Sequence, residues 1–106
     1  VNPQPKQKNF RSQKLCDLAR EAPHCMYCGR TNMDDVVACH SNHLADGKGM
    51  SLKASDACAY LCPKCHDLVD ERTSGYSEEF REYVFLYGAF KTWLWLLQTG
   101  HLKVAA

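Results

Sequence analysis

Apolar positions recur along this chain in two rhythms. Leu15, Leu18, Ala19 and Ala22 fall three and four residues apart. They predict a short helix from Ser12 to Ala22, with Ser12 as N-cap and Pro23 as its stop. Phe80, Tyr83, Val84, Tyr87, Phe90, Leu94 and Leu97 repeat the pattern over a longer span. They predict a second helix, opened by Ser77 with Glu78 and Glu79 at its positive end and closed by Gly100. Phe85, Trp93 and Trp95 lie partly off that stripe. The helix is therefore apolar on more than one face, and either packs into the core or forms a homodimer contact. Between these helices the rhythm shortens to two. Val36 to His40 predicts a strand with Val36, Ala38 and His40 on one side and Val37 and Cys39 on the other. Ala57 to Leu61 predicts a second strand, paired with the first. His66 to about Arg72 predicts a helix, broken by Thr73-Ser74-Gly75. Ser41 to Asp56 has few core residues and predicts a long loop, of a kind that is often functional.

Composition narrows the class. The chain has 106 residues with 45% hydrophobic and 24% charged content, which fits one soluble domain with a modest core. Its net charge of +1 does not announce a nucleic-acid binder. Basic residues do gather near the start, where Lys6, Lys8, Arg11, Lys14 and Arg20 face Asp17 alone. Residues 1–11 read as a flexible basic arm and residues 12–106 as a single domain. The apolar patch from Val84 to Leu97 is interrupted by Lys91 and is too short and mixed for a membrane span.

The cysteines change the picture most. There are seven, and four of them form two C-x-x-C pairs, Cys25–Cys28 and Cys62–Cys65, separated by 33 residues. Each pair has the spacing of a metal knuckle, and together they supply four thiolates for a closed tetrahedral zinc site. An odd count with two such pairs argues against a purely disulfide framework and favours a reducing cytoplasm. Gly29 permits the tight turn of the first knuckle. Cys16, Cys39 and Cys58 lack partners at ligand spacing and read as small core residues.

Zinc does not account for His40, His66 and Asp70. On a helix starting at the second knuckle, His66 and Asp70 share one face and suit a divalent ion such as Mg²⁺ or Mn²⁺. His40, at a strand end beside that helix, could deprotonate an attacking water.

The order of these pieces resembles the HNH, or ββα-metal, nucleases: Cys-x-x-Cys, a strand ending in His, a loop, then Cys-x-x-Cys-His. It is most similar to the YbcO-like nucleases of lambdoid phages and prophages. The text that carries the likeness is Ala38-Cys39-His40-Ser41-Asn42, then Asp46-Gly47-Lys48-Gly49-Met50-Ser51-Leu52-Lys53-Ala54-Ser55-Asp56, then Leu61-Cys62-Pro63-Lys64-Cys65-His66-Asp67 with Asp70. The resemblance implies an α+β fold: a small zinc-stabilised ββα-metal core, an N-terminal helix and a longer C-terminal helix. It implies phosphodiester hydrolysis, with His40 as general base and His66 and Asp70 as metal ligands. Asp56 would brace the loop and orient the His40 ring, and Lys48 and Lys53 would hold flanking phosphates. The chain departs from the family in three places. Cys39 stands where many members carry a further metal ligand, Asp70 where others have His or Asn, and Asp56 where the family keeps Asn. His43 is a substitute ligand or base, or an exposed loop residue.

The expectation is thus a metal-dependent endonuclease acting on nucleic acid, DNA favoured, in the cytoplasm of a bacterial host. Its rival is a zinc-knuckle module that binds DNA or a protein without catalysis. A C-x-x-C redox switch is disfavoured, because no strand–CxxC–helix unit of the thioredoxin kind is present.

Overall fold

The computed structural model describes residues 10–41, 55–70 and 75–105. His43, Lys48, Lys53, most of the predicted loop and nearly all of the basic arm lie outside these residues. The described residues form a small α+β unit in the order α1 (Gln13–Asp17), a 3-10 turn (Leu18–Glu21), β1 (Val37–Cys39), β2 (Ala59–Leu61), α2 (Pro63–Asp70) and α3 (Glu78–Gln98).

The N-terminal helix is shorter than its apolar stripe predicts. Ser12 does cap it, its hydroxyl accepting from the Leu15 N–H at 3.2 Å. After Asp17, however, the chain tightens into the 3-10 turn, and Ala22 turns extended before Pro23. The residue before a proline is pushed out of the helical region, so the last turn cannot finish as α-helix. Asn32 secures this end. Its side-chain amide donates to the carbonyls of Ala22 (2.8 Å) and Arg20 (3.1 Å) and accepts from Val36 N–H.

The two strands pair antiparallel, with Val37 opposite Leu61, Ala38 opposite Tyr60 and Cys39 opposite Ala59. Both are shorter than their sequence patterns. Val36 and Cys39 are buried while Val37 is exposed, so burial does not follow simple alternation. β2 is buried on both faces. Tyr60 turns its backbone outward: its N–H donates to Thr92 Oγ1 (2.9 Å) and its carbonyl accepts from Met26 N–H (2.9 Å). Its phenol donates to the Leu15 carbonyl, tying α1 to the sheet.

α3 is capped as its sequence indicates, by the Ser77 hydroxyl accepting from Phe80 N–H (3.1 Å), and ends before Gly100 at φ 79°. The face it buries is a different one. Val84, Phe85, Gly88, Thr92 and Leu96 are buried, whereas Tyr83, Tyr87 and Phe90 of the predicted stripe are exposed by 53%, 39% and 52%. Proximity is the reason. A Cβ placed on Gly88 would lie 2.9 Å from Leu61 Cδ2 and 3.3 Å from Ala59 Cβ, so only a small residue lets α3 sit this close to β2. The aromatic stripe instead flanks the first cysteine pair. Tyr27 meets the rings of Tyr83 and Tyr87 edge-on, at centroid distances of 6.4 and 6.2 Å.

Candidate metal centre and histidine–carboxylate pair

The first cysteine pair sits in a closed loop. Cys25 N–H donates to the Arg30 carbonyl (2.7 Å) and Gly29 N–H to the Cys25 carbonyl (3.0 Å), with His24 bridged to Thr31 behind them. Gly29 holds φ 80°, the left-handed turn that its position after the knuckle predicts.

The second pair is built into a helix. α2 begins at Pro63, ahead of the second knuckle cysteine. Proline suits the first helical position because its φ is preset and its missing N–H is not needed there. His66 N–H already bonds the Cys62 carbonyl (2.9 Å). Cys62 therefore stands at the helix mouth and Cys65 in the first turn, where the positive end of the helix favours thiolates.

The two pairs converge. One sulfur from each of Cys25, Cys28, Cys62 and Cys65 lies within 4.8 Å of the others, with Cys28 Sγ 3.7 Å from Cys62 Sγ. This group could hold zinc. Its electrostatics fit a cation. Burial disfavours a thiolate at Cys25, but backbone hydrogen bonds from Cys62, Cys28 and Tyr27 outweigh that and bring its pKa down to about 7. Burial, and then the neighbouring sulfurs, push Cys65 upward. Four sulfurs this close cannot all ionise alone; a divalent ion would displace the remaining protons.

His66 and Asp70 lie on one flank of α2, as their spacing predicts, with His66 Nδ1 3.2 Å from Asp70 Oδ2. Both are partly exposed, one helical step round from buried Cys65 and Val69. A histidine and a carboxylate open to water fit an ion that keeps several waters. Among the described residues, the ligand atoms of His40, His66 and Asp70 do not all lie within 4.8 Å of one another.

His40 is instead engaged by Asp56. Its Nε2 is 2.8 Å from Asp56 Oδ1. Because a carboxylate only accepts, Nε2 carries the proton, and among the described residues Nδ1 keeps its lone pair. Asp56 is only 4% exposed and is held from the N-terminal side. Its Oδ2 accepts from Ser12 N–H (2.7 Å), Arg11 approaches Oδ1 at 3.4 Å, and its own N–H donates to the Phe10 carbonyl (2.7 Å). Burial alone would raise the Asp56 pKa. The Ser12 N–H, then His40 and Arg11, reverse that and hold it below the usual carboxylate value.

Cys16 completes this neighbourhood, its Sγ 3.9 Å from His40 Nε2. Sequence spacing gave it no ligand partner, because its neighbours come from β1 and from the segment before β2. Only the docking of α1 on the sheet unites them. Cys39 is fully buried and directs its thiol to the His40 carbonyl at 3.8 Å.

Comparison with protein-family models, with curated proteins and with solved structures gave no match for this chain. No helix among the described residues is long and apolar enough to cross a membrane.

Proposed function

We propose that the protein is a metal-dependent endonuclease with an HNH-like core, stabilised by zinc on Cys25, Cys28, Cys62 and Cys65. The observation that carries this reading is the His40–Asp56 pair at the end of β1. A buried carboxylate that holds Nε2–H fixes the ring and its tautomer, and leaves Nδ1 to take a proton from water. The order β1, β2, α2, with His40 after β1 and the His66–Asp70 pair on α2, supports this reading.

In this reading His40 accepts a proton at Nδ1, and Asp56 stabilises the resulting imidazolium. His66 and Asp70 would hold a Mg²⁺ or Mn²⁺ ion. Such an ion would supply positive charge to offset the negative charge that builds on the phosphate during hydrolysis. Lys48 and Lys53 are the proposed phosphate contacts. DNA is the proposed substrate, and the cytoplasm of a phage-bearing bacterium the proposed setting.

Supercoiled plasmid incubated with the protein and Mg²⁺ or Mn²⁺ should be nicked. His40→Ala should slow nicking by roughly 10²- to 10⁴-fold, the usual share of a general base. Wild-type inactivity with every divalent ion, or an equally active His40→Ala, would sink the proposal. The exposed aromatic flank of α3 favours a second reading, a zinc-knuckle module that binds nucleic acid or protein without cutting. Binding to the plasmid with no nicking in the same assay would support it.

A further inference from the structure

We infer that Cys16, His40 and Asp56 form a second metal site, one that takes a thiophilic divalent cation, zinc foremost, and keeps one coordination position open. The three side chains come from three separate segments: α1, the end of β1, and the stretch before β2. Their ligand atoms all lie within 4.8 Å of one another.

The distances are near those an ion would impose. With Zn–S of about 2.3 Å and Zn–N and Zn–O of about 2.0 Å, tetrahedral angles put S and N about 3.5 Å apart and N and O about 3.3 Å apart. Cys16 Sγ and His40 Nε2 are 3.9 Å apart, and His40 Nε2 and Asp56 Oδ1 are 2.8 Å apart. Shifts of about half an ångström would bring both edges to the ideal. The donor set of one sulfur, one imidazole nitrogen and one carboxylate oxygen suits zinc and disfavours Mg²⁺.

The surroundings are prepared in the way metal ligands usually are. Ser12 N–H occupies Asp56 Oδ2 at 2.7 Å, which leaves Oδ1 as the ligand atom. Arg11 also approaches Oδ1, at 3.4 Å with its side chain 48% exposed, so an ion there would compete with its guanidinium. The ion would displace one proton, that of the Cys16 thiol, while the His40 ring proton moves from Nε2 to Nδ1. Three protein ligands leave a fourth position for water or an external anion.

A zinc ion on Nε2 puts the remaining ring proton on Nδ1. The same ion would therefore silence the base role proposed for His40; that consequence rests on the nuclease reading, whereas the site itself does not. Zinc would then do opposite things at two places, holding the fold at the four cysteines and blocking chemistry at Cys16, His40 and Asp56.

The test is a metal count that needs no nucleic acid. The full chain is equilibrated with excess zinc, freed of loose ion by gel filtration, and analysed for zinc per chain. Wild type should hold two ions. Cys16→Ala should hold one and keep the wild-type far-ultraviolet circular dichroism spectrum. With Co²⁺ in place of zinc, wild type minus Cys16→Ala should give a tetrahedral difference spectrum carrying one thiolate in five of the charge-transfer intensity. One zinc in wild type overturns the site, as do two in Cys16→Ala. Loss of both ions in Cys16→Ala, or of its wild-type spectrum, assigns Cys16 a folding role and also overturns it.

Discussion

Thr92→Val tests the way α3 is joined to the sheet. The two side chains have nearly the same shape, and Thr92 is 2% exposed. On hydrophobicity alone the replacement should stabilise the protein, because a methyl takes the place of a buried hydroxyl. The hydrogen bonds reverse the sign. Thr92 Oγ1 accepts from Tyr60 N–H at 2.9 Å and donates to the Gly88 carbonyl at 2.7 Å. The Gly88 carbonyl keeps a helical partner in the variant, whereas the Tyr60 N–H, on a residue with no exposed surface, loses its Thr92 acceptor. An orphaned buried donor costs about 1–3 kcal/mol, and one extra buried methyl returns about 0.8 kcal/mol. Helix propensity is nearly equal for the two residues and does not decide the outcome. The net expectation is a loss between about 0.2 and 2 kcal/mol, centred near 1 kcal/mol. Urea unfolding followed by circular dichroism, with zinc saturating, should show the midpoint falling by about 1 M at an m-value near 1 kcal/mol/M. A Thr92→Val protein at least as stable as wild type would show that the Tyr60 N–H finds another partner and that α3 is held by apolar contact alone.

Chelation should have a larger effect. Structural zinc in small domains contributes about 10 kcal/mol or more, comparable with the whole stability of a domain this size, so EDTA-treated protein should lose its cooperative thermal transition; an unchanged melt would refute a structural ion. Asp56 has a folded pKa below its unfolded value, so the stability it provides is present above the unfolded value and is lost as pH falls through the folded one. Acid unfolding of wild type should therefore steepen below about pH 4, and Asp56→Asn should flatten that limb while lowering stability at neutral pH; parallel curves for the two proteins would argue against the account. Gly88→Val places branched carbon atoms where even a Cβ meets Leu61 Cδ2 at 2.9 Å. It should cost about 1–3 kcal/mol by overpacking, despite removing a helical glycine, and a neutral result in the same urea assay would mean that α3 is able to back away from the sheet.

Local signals carried further into this fold than long-range ones. Ser12 and Ser77 cap the helices their positions predict, and Gly29 and Gly100 take positive φ where the chain must turn. The four knuckle cysteines meet, and His66 and Asp70 share a helix flank. The caps, the glycine turns and the His66–Asp70 flank depend on neighbours a few residues away, and each knuckle is marked by the short spacing of its own pair. The buried face of α3 was not legible, because Gly88 and Thr92 look less core-like than Tyr83 or Phe90. What buries them is the closeness of β2, and only the assembled structure sets that distance. The predicted start of α2 at His66 falls three residues late, because Cys62 to Cys65 reads as a knuckle, whereas Pro63 is well suited to open the helix. Cys16 escaped notice for the same reason as Gly88. It is 24 residues from His40 in sequence, and nothing local marks it.

Tyr60 also makes distant parts move as one. Its N–H is fastened to α3 and its carbonyl to Met26, inside the first cysteine loop. A load applied to the exposed flank of α3 is thus passed through a single residue to the one beside Cys25. Opening motions there should be shared rather than local. The amides of Met26 and Tyr60 should exchange with solvent deuterium at a common rate, and a partner pressing on the helix should slow both together.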